Sequence, residues 1–275
     1  MAGQTILRAW SSPAVFSVTP VDHTWVTTFD NQAQNYADAN AVAAAGENYW
    51  FCWGDYHAQG GTPINPTGQL DQRAGSLSLA ACLVQPNADC NSVAAARGTI
   101  FSYGSDGVCH QLANQVLYAT GSPGAPMTVS QARGYAASIF LYGTYGRQVA
   151  AWAAKIQGCS QQVLTAAADK VFDMATLPDE FERHARDILG DENPTLLKRL
   201  MALRSGALVS RAPTRDGFQA SSARALNDQN QRMLDEAASL LGPEKFEQVF
   251  GFPANREINL IDPNMLVESR SKVAP

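Results

Sequence analysis

Apolar and polar residues alternate in short runs over the first part of the chain and recur at helical spacing over the last part. Period-two or β-branched runs predict strands over residues 6–10, 15–18, 23–29, 48–57 and 99–103. Between them an Ala-rich stretch, 33–45, reads as a helix. Residues 59–75, with Gly60-Gly61, Pro63, Pro66 and Gly68, read as a long loop of the kind that covers a site. From Cys109 onward Leu112, Ala113, Val116 and Leu117 share one helical face, and Gly121 stops the pattern. Thr128 is placed to cap a helix over 129–135. Residues 137–145 fit either element, and their Tyr, Phe and Ile content leans to a strand; 148–157 reads as a helix.

The remainder is helical in pattern. Val163, Leu164, Ala167, Val171 and Met174 mark one helix, and Phe181, Ala185, Ile188 and Leu189 mark a second, closed by Gly190. Asn193-Pro194 has the form of an N-cap followed by proline at the first helical position. A long amphipathic helix spans 222–241 and stops at Gly242-Pro243. A short helix carrying Phe246, Val249 and Phe250 follows, and after Gly251 the pattern is irregular, with 267–275 reading as a loose tail.

Composition sharpens this division. Residues 1–159 hold all five Trp, all eight Tyr, all five Cys and 16 of the 21 Gly, but only 14 charged residues; the shorter stretch 160–275 holds 31. A boundary near 158–160 follows, with a strand-rich region over 1–159 and an all-helical region over 160–275, an α+β chain. The net charge of −5, with no basic stripe, argues against nucleic acid as a partner. No apolar run approaches the roughly 18 residues a membrane span needs. The first residues lack a basic stretch followed by an apolar one, which leads to the expectation of a cytoplasmic chain or one secreted without a cleaved signal peptide. Cys82 and Cys90 flank a turn and could bridge in an oxidising place; Cys52 and Cys159 read as small hydrophobes.

The candidate chemistry centres on Cys109. A Gly104-Ser105-Asp106-Gly107 loop, read as flexible, delivers it to the first turn of a helix. There, unpaired N–H groups and the positive end of the helix dipole favour a thiolate, the form that acts as nucleophile. A nucleophilic cysteine needs a base and an orienting group. Of four histidines, His184 falls in the helical region beside Glu182 and Arg183 and reads as a surface side chain. His23 emerges from a turn at a strand start, and Asp55 and His57 share a face at the end of the next long strand. His23 is thus the candidate base, with His57 or Asp55 as orienter. Trp53, His110 and Asn114 are candidate substrate contacts; His110 diverges from Cys109 by about 100° on the helix. The residues leave two other readings open. Cys52, His57, Cys109 and His110 offer two thiols and two imidazoles, the donor set of a tetrahedral zinc site. Alternatively the helical region carries the function, through a protein partner, in a secreted effector or toxin.

A histidine opening a strand (His23-Thr24-Trp25-Val26), a polar residue on a following strand, and then a cysteine opening a helix (Gly107-Val108-Cys109) resemble the circularly permuted papain-like enzymes. That group includes permuted NlpC/P60 and lecithin:retinol acyltransferase-like proteins. The resemblance covers about residues 15–145. Val108-Cys109-His110-Gln111 stands where ordinary NlpC/P60 enzymes carry Asp-Cys-Ser-Gly. The resemblance implies an antiparallel papain-like sheet with the cysteine helix against it, and cofactor-free, metal-free acyl transfer. Cys109 would attack a carbonyl, His23 would shuttle the proton, and a backbone N–H near Cys109 would hold the oxyanion. Hydrolysis of an amide, in a peptide or a cell-wall peptide, is the first expectation; acyl transfer and deamidation share the same attack.

Overall fold

The computed structural model describes residues 5–14, 21–30, 50–51, 62–69, 103–120, 128–147, 179–190, 193–209 and 223–263. Its strands come first in the chain. β1 (Thr5–Pro13), β2 (Asp22–Asp30), β3 (Trp50–Phe51) and β4 (Thr62–Gln69) form a sheet in the order β3-β2-β1-β4. All three pairings are antiparallel. β1 and β2 pair from Thr5 opposite Asp30 to Pro13 opposite Asp22, and Ala14 N–H donates to Val21 O at 2.9 Å beyond that. The length of this pairing fixes where His23 and Thr24 lie relative to everything that packs on the sheet.

β4 falls inside the stretch expected to be loop. Pro63 and Pro66 cannot donate to a ladder, but β4 is an edge strand, where a missing N–H costs nothing, and the β1–β4 register shifts between Ile6 and Leu7 and between Arg8 and Ala9. Of the strands expected over 48–57 and 99–103, the described residues are Trp50–Phe51, in β3, and Tyr103, which makes an isolated bridge with Gly107.

Among the described residues six helices follow: α1 (Cys109–Thr120), α2 (Tyr135–Tyr142), α3 (Glu180–Leu189), α4 (Pro194–Val209), α5 (Ala223–Leu241) and α6 (Pro243–Phe250). α1 packs on β2. α2 touches α1, α3, α4, α5 and α6. It lies where a strand was the preferred reading. Seven of its eight residues are buried, so no polar face marks a helical period, and a uniformly apolar run of that length reads equally as strand. Nor do residues 129–134 form the expected helix. They make turns, and helix begins only after Gly134, at φ +77°. Thr128, the expected cap, instead donates its hydroxyl to Glu180 Oε1 at 3.0 Å.

The later helices follow their sequence signals. Asp179 Oδ1 accepts from Phe181 N–H at 3.1 Å and Glu182 N–H at 3.2 Å, capping α3. Asn193 Oδ1 accepts from Leu196 N–H at 3.2 Å ahead of Pro194, capping α4. α5 buries Leu226, Asn227, Asn230, Leu234, Ala237 and Leu241 along one stripe.

Residues on both sides of the compositional boundary share one core. Phe140 of α2 meets Phe181 at 5.0 Å and Phe250 at 5.4 Å between ring centroids, and Phe246 and Phe252 complete the cluster. Such aromatic pairs add about 0.5–1.5 kcal/mol each beyond their buried area. Asn230 of α5 donates to Tyr142 OH at 3.0 Å, and Tyr142 OH donates to Gly104 O at 3.0 Å. After α6, residues 252–262 form no helix or strand but are held in place. A strap over residues 252–262 lies along α5, where Asn227 Oδ1 accepts from Leu260 and Ile261 N–H at 3.1 and 3.0 Å. Asn227 Nδ2 donates to Ile261 O at 2.9 Å, and Gln231 Oε1 accepts from Ile258 N–H at 2.9 Å. Among the described residues no helix is long and apolar enough to cross a membrane.

Candidate active site around Cys109

The turn before Cys109 is tied rather than flexible. Gly104 adopts φ +82° and its N–H donates to Gly107 O at 2.8 Å; Ser105 and Asp106 are buried, and Asp106 O accepts from Arg147 N–H at 2.8 Å. A Cβ at Gly104 would meet Ile261 Cγ2 at 3.2 Å, so the turn needs glycine both for its backbone and for the close approach of the strap. Gln111 Oε1 accepts from Val108 N–H at 3.0 Å, which reinforces the helix start. Cys109 is therefore held at the first position of α1 by bonds on both sides.

The sulfur meets the edge of β2. Cys109 Sγ lies 3.9 Å from Asp22 O, and the N–H and hydroxyl of Thr24 also face it, together with the N–H groups of Cys109 and His110. A cavity of about 10 Å³, room for no more than one water, is lined by Cys109, His23, Tyr103, Val108, His110 and Leu260, among others. Cys109 and His23, far apart in sequence, thus line one small cavity, and His23 stacks on Trp25 at 5.6 Å. Cys109 is 7 % exposed and His23 2 %. Burial pushes the thiol up to about 11, against the opposing pull of the Thr24, His110 and Cys109 donors. A helix N-terminus alone does not make a thiolate when desolvation outweighs it.

His110 lines the same cavity, but both of its ring nitrogens are engaged. Its Nε2–H donates to Asp22 O at 3.1 Å, and its Nδ1 lies 2.8 Å from Ser138 Oγ. A carbonyl only accepts, so the neutral ring carries its hydrogen on Nε2, and Nδ1 shares the single Ser138 hydroxyl proton with Tyr135 O, which lies 2.9 Å from the same oxygen. Burial lowers its pKa to about 4, so the ring is neutral. Both nitrogens are occupied within the chain, which leaves neither for a metal or a substrate. Asn114 is likewise consumed. Nδ2 donates to Tyr135 OH at 3.0 Å and to Thr144 O at 2.8 Å, while Oδ1 accepts from Val129 N–H at 3.0 Å. It ties α1 to the segment around α2. His184 is half-buried rather than a surface side chain, with Nε2 at 2.7 Å from Val249 O. Asp55, His57, Trp53 and Cys52 lie outside the described residues, as do Cys82, Cys90, Cys159 and the expected elements over 15–18, 33–45, 148–157, 161–175 and 267–275. Among the described residues no cluster of three or more His, Cys, Asp or Glu is placed to hold a metal.

Three residues that the sequence pattern passed over shape the site. Asp22 joins it to the helical layer. Its carbonyl faces Cys109 and His110, while its carboxylate accepts Arg133 Nη2 at 2.7 Å, Nε at 2.9 Å and backbone N–H at 3.0 Å. Thr24 faces the sulfur, and Leu260 of the strap closes the cavity. Thr24 sits in the strand read over 23–29, and Asp22, read as the end of the preceding turn, is the first residue of β2; nothing local marks Leu260. A larger cleft of about 450 Å³, lined by Arg133, Glu180, Arg183, His184 and Asp187 among others, lies beyond Asp22 and is not lined by Cys109 or His23. In its wall Tyr135 OH donates to Glu180, and burial followed by the Glu180 charge raises the phenol well above its usual range.

Comparison of the chain with protein-family models, curated proteins and solved structures returns no match.

Proposed function

We propose that the chain is a cysteine hydrolase of amide bonds whose nucleophile is Cys109 and whose base is His23. The carrying observation is that the cysteine opening α1 and the histidine near the start of β2 line the same cavity. A four-stranded antiparallel sheet with the cysteine helix packed against β2 supports the papain-like reading. In the reaction His23 takes the thiol proton, the sulfur adds to the amide carbonyl, and the N–H of Cys109 helps to hold the oxyanion. His23 then gives its proton to the departing amine, leaving a thioester that water cleaves to the acid and free thiol. Peptides, including those of cell walls, are the proposed substrates. A 10 Å³ cavity admits no peptide and burial keeps the thiol protonated, so turnover requires the cavity to open.

The test is hydrolysis of cell-wall stem peptides and of unstructured peptides, read as new amino groups. Cys109→Ala and His23→Ala each abolish the product while the melting temperature stays within a few degrees. Retained hydrolysis in purified Cys109→Ala overturns the reading.

A further inference from the structure

We propose that the Thr24 hydroxyl is a reserved donor for the ionised sulfur of Cys109, so that Thr24 acts in the chemistry of this site. The inference rests on the reading of Cys109 as a nucleophile. Thr24 is 1 % exposed, and its Oγ1 is in hydrogen-bonding geometry with no partner among the described residues. A buried hydroxyl without an acceptor is destabilising, so its presence calls for a use. The use lies beside it. Both the hydroxyl and the N–H of Thr24 face the Cys109 sulfur.

A thiol sulfur is a weak acceptor and a thiolate a strong one, so the approach of the Thr24 hydroxyl to Cys109 strengthens when the sulfur ionises. When the proton moves from Cys109 Sγ to His23, the Thr24 O–H gains the acceptor it lacks. The N–H groups of Thr24, Cys109 and His110 complete the donor set. Among these influences burial is the largest and works against the anion, whereas every donor works for it, the two from Thr24 foremost. Thr24 therefore matters most once the cavity opens and the burial penalty falls. His23 and Thr24 are neighbours on β2, and His23 lines the same small cavity as Cys109.

The experiment is alkylation of the full chain by iodoacetamide from pH 6 to 10, with modification of the Cys109 peptide quantified by mass spectrometry so that the other four cysteines do not interfere. Thr24→Val keeps the shape and removes the donor. Its Cys109 labelling rate at neutral pH falls about tenfold, the effect of one hydrogen bond to a charged group. Thr24→Ser stays within about twofold of the parent. A purely structural role has the opposite sign, because loosening the packing exposes the sulfur and speeds labelling. Unchanged or faster labelling in Thr24→Val overturns the proposal. If that variant does not fold, Thr24→Ser against Thr24→Ala isolates the hydroxyl. Serine labelling about tenfold faster sustains the proposal, and equal or slower labelling overturns it. Labelling needs no substrate, so it stands apart from the hydrolysis test. Hydrolysis that survives Cys109→Ala removes the hydrolase reading whatever Thr24 does.

Discussion

His110 shows how much a single buried side chain governs. A neutral imidazole sealed between Asp22 O and Ser138 cannot take a proton without desolvating a charge, and burial lowers its pKa to about 4. In the unfolded chain it titrates near 6.5. Above that value the ring is neutral in both states and contributes nothing to the pH dependence. As pH falls from about 6.5 to about 4 the unfolded state binds a proton that the folded state refuses, so stability drops; below about 4 this contribution is constant. The window corresponds to about 3 kcal/mol. Urea unfolding at pH 7, 5.5 and 4 should show this loss in the parent and a flatter profile in His110→Gln. Equal slopes would place the pH dependence elsewhere. Cys109 acts at the other end of the scale. Its thiol, raised to about 11, loses stability as pH climbs from 9 towards that value, because only the unfolded thiol ionises.

At the level of elements, the segment leading into α2 places a specific demand on its backbone. Gly134 sits at φ +77°, and a Cβ there would meet Val21 Cγ2 at 3.1 Å and Cγ1 at 3.3 Å, just before the start of β2. Gly134→Ala should lower stability by about 1–3 kcal/mol, checked by chemical denaturation, with the backbone strain and the Val21 contact adding in the same direction. A loss below 0.5 kcal/mol would mean that the turn relaxes freely. This segment also marks where the sequence was legible and where it was not. α3, α5 and α6 carry an apolar stripe with Asp179, Gly190, Gly242 or Gly251 at their ends, so period and punctuation agree. α2 has no stripe because neighbours cover it on nearly every side, and β4 was hidden by prolines that only its edge position tolerates. The candidate site divides in the same way. Cys109 and His23 could be named from local context. Whether His110 and Asn114 face a substrate or the core depends on Ser138, Asp22, Tyr135 and Thr144, all distant in sequence.

Across the whole molecule, the strap couples the C-terminal helices to the cysteine. The last stretch before residue 263 reaches back to the first region. Leu260 lines the Cys109 cavity, Ile261 fills the space beside Gly104, and Asp262 N–H donates to Tyr103 OH at 3.0 Å. Its backbone is anchored to α5 through the side chains of Asn227 and Gln231 rather than through a ladder or helix. Such a segment can open without unfolding what lies beneath it. If opening is what exposes the sulfur, weakening the strap must raise Cys109 reactivity more than an equal loss of global stability does. Leu260→Ala, at a site 2 % exposed, should speed alkylation of Cys109 by at least about tenfold, since a truncated buried leucine removes more than the 1.4 kcal/mol that a tenfold change requires. Leu234→Ala on α5, 1 % exposed and away from the cavity, supplies the comparison. With both variants examined in mild urea, where each retains its fold, labelling that follows global stability alike in the two would assign exposure to whole-chain unfolding. Labelling that rises selectively in Leu260→Ala would mark residues 252–262 as the part of the fold that governs access to Cys109.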